Sequence, residues 1–306
     1  MAAHLLSERN AIDSSQGQWN KGADVSAPLR ILHGAFGRVV LLQVHRSMAL
    51  HAHRDCHIVF KVGGAEIQFG VGRREHPVTA QSVLMINTWE PHFYDHRGPE
   101  PCVLLALYLH PRWLKEVDRV FTQSANPKFF TRPVALLNRR LAGLRDDILD
   151  LLSQHEPAAP EAVEALIADV FTEAVTLTEP LSRLRWSGAH GELGYDARIR
   201  QVVEGAMVGS NAPLCLDELA RSAGLSRAQF FRLFLRSTGL TPKTFLNMLR
   251  MEECLKSVVR RDTPLQQIAL QCGFDTAGNF TRFFSARQGM VPSKYRRVAE
   301  LLSPDA

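Results

Sequence analysis

The sequence has no uninterrupted apolar run of the roughly 18 residues that a membrane-spanning helix needs. Its first stretch, MAAHLLSERNAIDSSQGQW, lacks the apolar core of a secretory leader. Cysteine is sparse: five residues (Cys56, Cys102, Cys215, Cys254 and Cys272), odd in number and scattered. That excludes a disulfide framework and fits a reducing compartment. The expectation is a cytoplasmic protein without a membrane partner. What is present is ordinary bulk: 306 residues with 45% hydrophobic content, enough for about two domains with real cores.

Charge is small overall but uneven. The net formal charge is +5. From Asp196 onward there are 16 Lys and Arg against 10 Asp and Glu, whereas residues 1–195 hold 20 against 21. The basic excess therefore belongs to the C-terminal part, where a polyanion is the fitting partner. A merely solvated basic face is the alternative.

Residues 1–28 are polar and mixed and are expected to form a mobile arm. Residues 29–132 carry short apolar runs (RVVLLQVH, CHIVFKV, AEIQFGV, SVLMI, CVLLALYL) punctuated by Gly, Pro, Asn and His. Regular short strands with turn signals suggest a barrel or sandwich. From Pro133 the texture becomes helical: Val134, Leu137, Leu141, Leu144, Ile148 and Leu151 follow a 3–4 spacing. A second helix places Val163, Leu166, Val170, Ala174, Leu177 and Leu181 on one face. This 133–181 segment is expected to dimerise the chain, the alternative being that both helices pack on their own barrel. Residues 182–195, with three glycines, are expected to be a linker.

The C-terminal part, 196–299, contains one pattern twice. Leu216, Leu219, Ala220, Gly224 and Leu225 reappear 49 residues on as Leu265, Ile268, Ala269, Gly273 and Phe274. Phe230, Arg232, Phe234, Gly239, Pro242 and Phe245 reappear 50 residues on as Phe280, Arg282, Phe284, Gly289, Pro292 and Tyr295. Each copy (216–237 and 265–287) has the form of a helix-turn-helix. Gly224 suits a left-handed turn, and Ser226 and Thr276 suit N-caps. In the first copy the outer face of the second helix carries Arg227, Ala228, Phe231, Arg232 and Leu235, with Arg236 and Lys243 beyond. Arginine bridges guanine acceptors and an apolar ring meets a thymine methyl, although Phe231 could equally fill a gap in the fold. The second copy offers Ala277, Gly278, Thr281, Arg282 and Ser285. The first head is therefore expected to discriminate bases more strongly. The segment between the heads is expected to be one rigid helix that spaces them along the groove.

Leu-Asp-Glu-Leu-Ala at 216–220, Gly-Leu-Ser at 224–226, Phe-x-Arg-x-Phe at 230–234, Gly-Leu-Thr-Pro at 239–242, Cys-Gly-Phe-Asp at 272–275, Phe-Thr-Arg-Phe-Phe at 280–284 and Pro-x-x-Tyr-Arg at 292–296 resemble the DNA-binding domain of the AraC/XylS family of transcription regulators. The resemblance covers about 100 residues. It implies base-reading positions at Ala228, Phe231 and Arg232, and at Ala277, Gly278, Thr281 and Arg282, with Asn279 beside the DNA edge. It further implies double-stranded DNA, a small-molecule effector, a homodimer and RNA polymerase as partners, with no catalytic activity. The expected fold is α+β and multidomain: a cupin-like barrel, a helical segment, then an all-α domain.

The N-terminal half holds His51-x-His53-x-x-Cys56-His57 and Pro91-His92, which resembles a cupin site lacking its acid. Imidazoles two apart on a strand share a face, so His51, His53 and His92, completed by His57 or Cys56, form a candidate set for zinc, iron or nickel. The competing expectations are that His51, His53, His57, Trp89, His92 and Tyr94 line an effector pocket, or that the histidines are ordinary. A metal-dependent cupin enzyme or a metal sensor tethered to a DNA-binding module is the alternative function.

Overall fold

A computed structural model describes residues 26–72, 74–126, 128–154, 158–178, 196–208 and 215–302. The expected mobile arm, nearly all of it, and the 182–195 linker lie outside these residues. The N-terminal half is built on strands β1 (Ser26–Gly34), β2 (Gly37–Val44), β3 (Met48–His51), β4 (Cys56–Val71), β5 (Arg74–Val78), β6 (Ser82–Ile86) and β7 (His92–Leu109). Two of these dominate. β4 and β7 pair antiparallel from Cys56 opposite Leu109 to Val71 opposite His92, and irregularities between Lys61 and Glu66 bend the pair. Each long strand thus serves both ends of the sheet.

Alternation along the strands separates two faces. Val39 and Leu41 of β2, Cys56, Ile58 and Phe60 of β4, and Val103, Leu105, Leu107 and Leu109 of β7 join one core. Over that face pack α1 (Pro111–Val117), α2 (Arg139–Ser153) and α3 (Pro160–Thr176), with Phe121, Phe129, Phe130 and Phe171 in mutual ring contact. On the opposite face, Val59, Cys102 and Leu104 meet Phe69, Ile86 and Tyr94.

One expectation about the middle of the chain is corrected. The helix does not begin at Pro133: Val134–Leu136 forms strand β8, which pairs with β6, and α2 starts after Asn138, whose side chain accepts from Leu141 N–H. The sheet therefore runs past 132. The apolar stripe that suggested a dimer is taken up at home: Leu141 and Ile148 of α2 are buried in the core beneath the sheet, as are Val163, Val170 and Ala174 of α3. Helices laid on a sheet carry the same 3–4 spacing as a coiled-coil seam, so spacing alone does not tell them apart.

The C-terminal half comprises α4 (Ala197–Val208), α5 (Leu216–Ser222), α6 (Arg227–Thr238), α7 (Pro242–Val259), α8 (Leu265–Gln271), α9 (Ala277–Gln288) and α10 (Pro292–Val298). It ends in a strand, β9 (Ala299–Leu301), that pairs parallel with β1, Ile31 opposite Ala299. The expected boundary at 299 is thus crossed, because the chain's last described turn is sewn into the sheet of the other half. Ile31 and Val40 of the sheet share a core with Met251, Leu255, Phe280, Phe284 and Tyr295.

Candidate functional site

The two copies of the repeat fold as two helix-turn-helix units, α5–α6 and α8–α9. Gly224 and Gly273 take φ of 63° and 74° in the two turns, a region that costs other L-residues roughly 1–2 kcal/mol. Ser226 caps α6 by accepting from Gln229 N–H, and Thr276 caps α9 by accepting from Asn279 N–H. Leu219, Ala220, Phe230, Phe234 and Phe245 form the core of the first unit. Ile268, Ala269, Phe280, Phe284 and Tyr295 hold the equivalent places in the second. The expected turn and cap positions are therefore occupied as the repeat requires. Phe274, the counterpart of Leu225, is half-buried, as Leu225 is.

The outer face of α6 exposes Arg227, Ala228, Arg232 and Arg236, with Phe231 39% exposed and Leu235 40%. Arg232 and Arg236 line a recess with Arg198, Gln229 and Leu233. Arg227 lies 3.6 Å from the Asp217 carboxylate with both ends in solvent, a pair weak enough to exchange for a phosphate. On α9, Ala277, Gly278, Asn279 and Arg282 are exposed and Thr281 is half-buried. The Arg282 guanidinium donates to Asn279 Oδ1 at 2.6 Å. One of its donors is thereby fixed while the residue stays exposed.

The histidines come together by strand pairing. His51 of β3 sits opposite His92 of β7, and His57 of β4 opposite Tyr108 of β7. Directly paired residues are in side-chain contact. The His51 and His92 rings are 4.3 Å apart between centroids, and His57 stacks on Tyr108 at 4.2 Å and 19°. His53, in the loop that joins β3 to β4, reaches His92 at 4.8 Å and His57 at 4.9 Å. His53, His57 and His92 are buried. Burial, then the charges of its His neighbours and Arg38, holds His53 well below the usual imidazole value. Burial does the same to His57 and His92. Both ring nitrogens of His53 and of His57, and His92 Nε2, find no hydrogen-bond partner among the described residues. Such an unpaired buried group ordinarily costs about 1–3 kcal/mol.

Two of the other candidates, Cys56 and Trp89, stand elsewhere, whereas Tyr94, two residues along β7 from His92, shares its strand face. Cys56 points to the opposite face of β4 by alternation; its thiol donates to Ser124 O at 3.2 Å, and burial pushes it up to about 12. Tyr94 packs on Phe69 at 5.3 Å. Trp89, at φ 62°, donates its backbone N–H to His53 O at 2.9 Å and lays its ring on Phe245 at 4.8 Å. It is a plug between the two halves of the molecule.

That junction carries charges the sequence reading missed. Glu252 of α7 is buried, and it pairs with the Arg54 guanidinium while accepting from Arg54 N–H at 3.3 Å. Asp55 pairs with His110 at 2.5 Å. Burial works against the Asp55 carboxylate, but His110, Arg38 and Arg54 hold it down at about 2. Arg38 lies over Tyr108 at 3.9 Å, and His33 Nε2 meets Tyr295 OH at 3.1 Å. A signal for Glu252 existed: it stands among Phe245, Met248, Met251 and Leu255 on the buried face of α7, and an acid at core spacing demands a partner.

Comparison with known proteins agrees with this division. A family model described as an AraC-like ligand binding domain matches residues 42–171, and one described as a helix-turn-helix domain matches 219–298. The transcriptional activator RhaS of Citrobacter koseri is 23% identical over 257 residues, 82% of this chain and 88% of RhaS. The probable transcriptional regulator LumQ of Photobacterium leiognathi is 33% identical over 83 residues; the match spans 27% of this chain and 34% of LumQ. A structure of ToxT from Vibrio cholerae bound to an unsaturated fatty acid superposes with a TM-score of 0.51 at 13% identity, covering 93% of this chain and 100% of ToxT. That last likeness is one of fold.

Proposed function

The chain belongs to the AraC family of transcription regulators, with an N-terminal ligand-binding half and a C-terminal helix-turn-helix half, and from that premise we propose that α6 and α9 read two adjacent segments of the DNA major groove. The observation that carries this is the presence of two units with the same cap, turn and core, each exposing an arginine at the equivalent position. They are joined by the single 18-residue helix α7, a rod of about 27 Å. Arg232 is assigned a guanine edge and Phe231 a thymine methyl. Arg227 and Arg236 are assigned phosphates that orient the domain. On α9, Arg282 reads and Asn279 holds it in place, while Ala277, Gly278 and Thr281 permit close approach.

The ligand-binding half sets where the reading half sits. An effector that favours one docking of the two halves shifts the population toward or away from DNA-competent chains. The buried Arg54–Glu252 pair and the Trp89–Phe245 contact are where such a shift would be felt. We also propose that the protein is a binding protein without catalytic turnover, works in the cytoplasm, pairs as a homodimer and touches RNA polymerase. Because the apolar sides of α2 and α3 are consumed in their own core, the pairing surface falls to their charged outer sides. Among the described residues no helix is long and apolar enough to cross a membrane.

Footprinting on a selected site tests the two-head assignment. Arg282→Ala is expected to lose protection on one groove segment and Arg232→Ala on the neighbouring one. Identical footprints for both variants and the wild type would refute it.

A further inference from the structure

We propose that His51, His53 and His92 hold a divalent transition-metal ion of the zinc, iron or nickel class, bound between β3, β7 and the loop that joins β3 to β4. Their candidate ligand atoms lie within 4.8 Å of one another. An ion at about 2.0–2.1 Å from each nitrogen needs separations of about 3.4 Å, a contraction within the reach of side-chain rotation. His57, its ring centroid 4.9 Å from that of His53, is the nearest further imidazole.

The second observation is how the rings are held. His51 Nδ1 donates to Ala49 O at 2.9 Å, and His92 Nδ1 donates to Glu90 O at 2.8 Å. Each backbone carbonyl fixes the proton on Nδ1 and leaves the Nε2 lone pair directed away from the backbone. Metal-ligating histidines are oriented by this same device. His92 Nε2 and both nitrogens of His53 are buried without a partner among the described residues. The large majority of buried side-chain polar atoms are satisfied, so such a group of unpaired nitrogens asks for a ligand. The His51 and His53 rings each lie within 5 Å of the His92 ring between centroids, at 4.3 and 4.8 Å, and His53 meets Tyr108 at 4.9 Å, so the three imidazoles converge on one point. The donor set is all imidazole, which suits borderline cations and disfavours calcium or magnesium.

The site is wired to the DNA-binding half. His53 O accepts from Trp89 N–H, Trp89 packs on Phe245, and Arg54, the next residue, grips Glu252 of α7. Drawing His53 onto an ion therefore tightens the segment that docks α7.

The test uses the full chain, dialysed against a chelator and titrated with Co2+. The expected result is one Co2+ per chain with visible d–d absorption, displaced by Zn2+. Stoichiometric binding is lost in His51→Ala and in His92→Gln and unchanged in His96→Gln, on the same strand but outside the cluster. A wild-type chain that takes up no stoichiometric ion would overturn the proposal, and so would a His51→Ala, His92→Gln double variant that keeps the spectrum. The wild-type result decides even where a variant fails to fold. Amide exchange over residues 242–259 is expected to slow on Zn2+ loading, and identical exchange would overturn the coupling to α7.

Discussion

The junction between the halves allows a quantitative test through Arg54 and Glu252. Their side chains are 19% and 10% exposed, so the pair is largely desolvated. Removing one partner of a buried pair costs about 3–5 kcal/mol, against about 0–1 kcal/mol for an exposed one. Glu252→Ala leaves a guanidinium that still touches water, which places it near the low end, at about 3 kcal/mol. Arg54→Met leaves an acid whose affinity for its proton is raised by burial and by Asp55 and lowered by Arg54. Without the arginine the folded chain binds that proton more tightly than the unfolded chain. Relative to wild type, the variant then gains stability as pH falls below neutral. The double variant Arg54→Met, Glu252→Ala removes both charges and is expected to cost less than the two singles together by about 2 kcal/mol. Urea unfolding of the four proteins, followed by fluorescence, measures the cycle. Coupling below about 0.5 kcal/mol would show that the pair is no more than a surface contact.

Phe171→Ala is expected to cost about 3–5 kcal/mol, because this ring is buried against Phe121, Phe129 and Phe130; urea unfolding with a loss under about 1 kcal/mol would contradict that packing. Gly224→Ala meets no atom within 4 Å of the added carbon but keeps φ at 63°, so only backbone strain of about 1–2 kcal/mol is expected, read as a lower Tm with DNA specificity unchanged. Burial and then Arg38 hold His33 at about 3, against 6.5 for a free imidazole. The folded state resists that proton, so the share of stability is intact above pH 6.5 and falls at about 1.4 kcal/mol per unit as pH drops toward 3. His33→Gln is expected to remove one proton's worth of this slope, and a difference from wild type that does not vary with pH would exclude the assignment.

The helix-turn-helix units were legible because everything that makes them is local. Ser226 and Thr276 cap within three residues, Gly224 and Gly273 turn the chain where they stand, and the Phe spacing fixes each inward face. The strands were legible as strands for the same reason, and the cluster of His51, His53 and His92 was suggested by residue type. The helical stripe from Val134 left its partner open because a helix against a sheet and a helix against a second chain show one periodicity. The direction of the Trp89 ring was not legible, because an aromatic next to a candidate pocket has two directions in which to point, and Phe245 across the fold chooses between them.

The sequence by itself determined the class of the protein, its two helix-turn-helix units and the arginines they expose, since short-range hydrogen bonds and helical period suffice for these. Only the tertiary structure decided that His51 and His92 face each other across β3 and β7, that Tyr295 meets His33 across 262 residues of chain, and that Glu252 finds Arg54 across 198. Such contacts depend on strand register and on the docking of α7 against the sheet. Both are settled by burial summed over the whole molecule rather than by the preference of any segment.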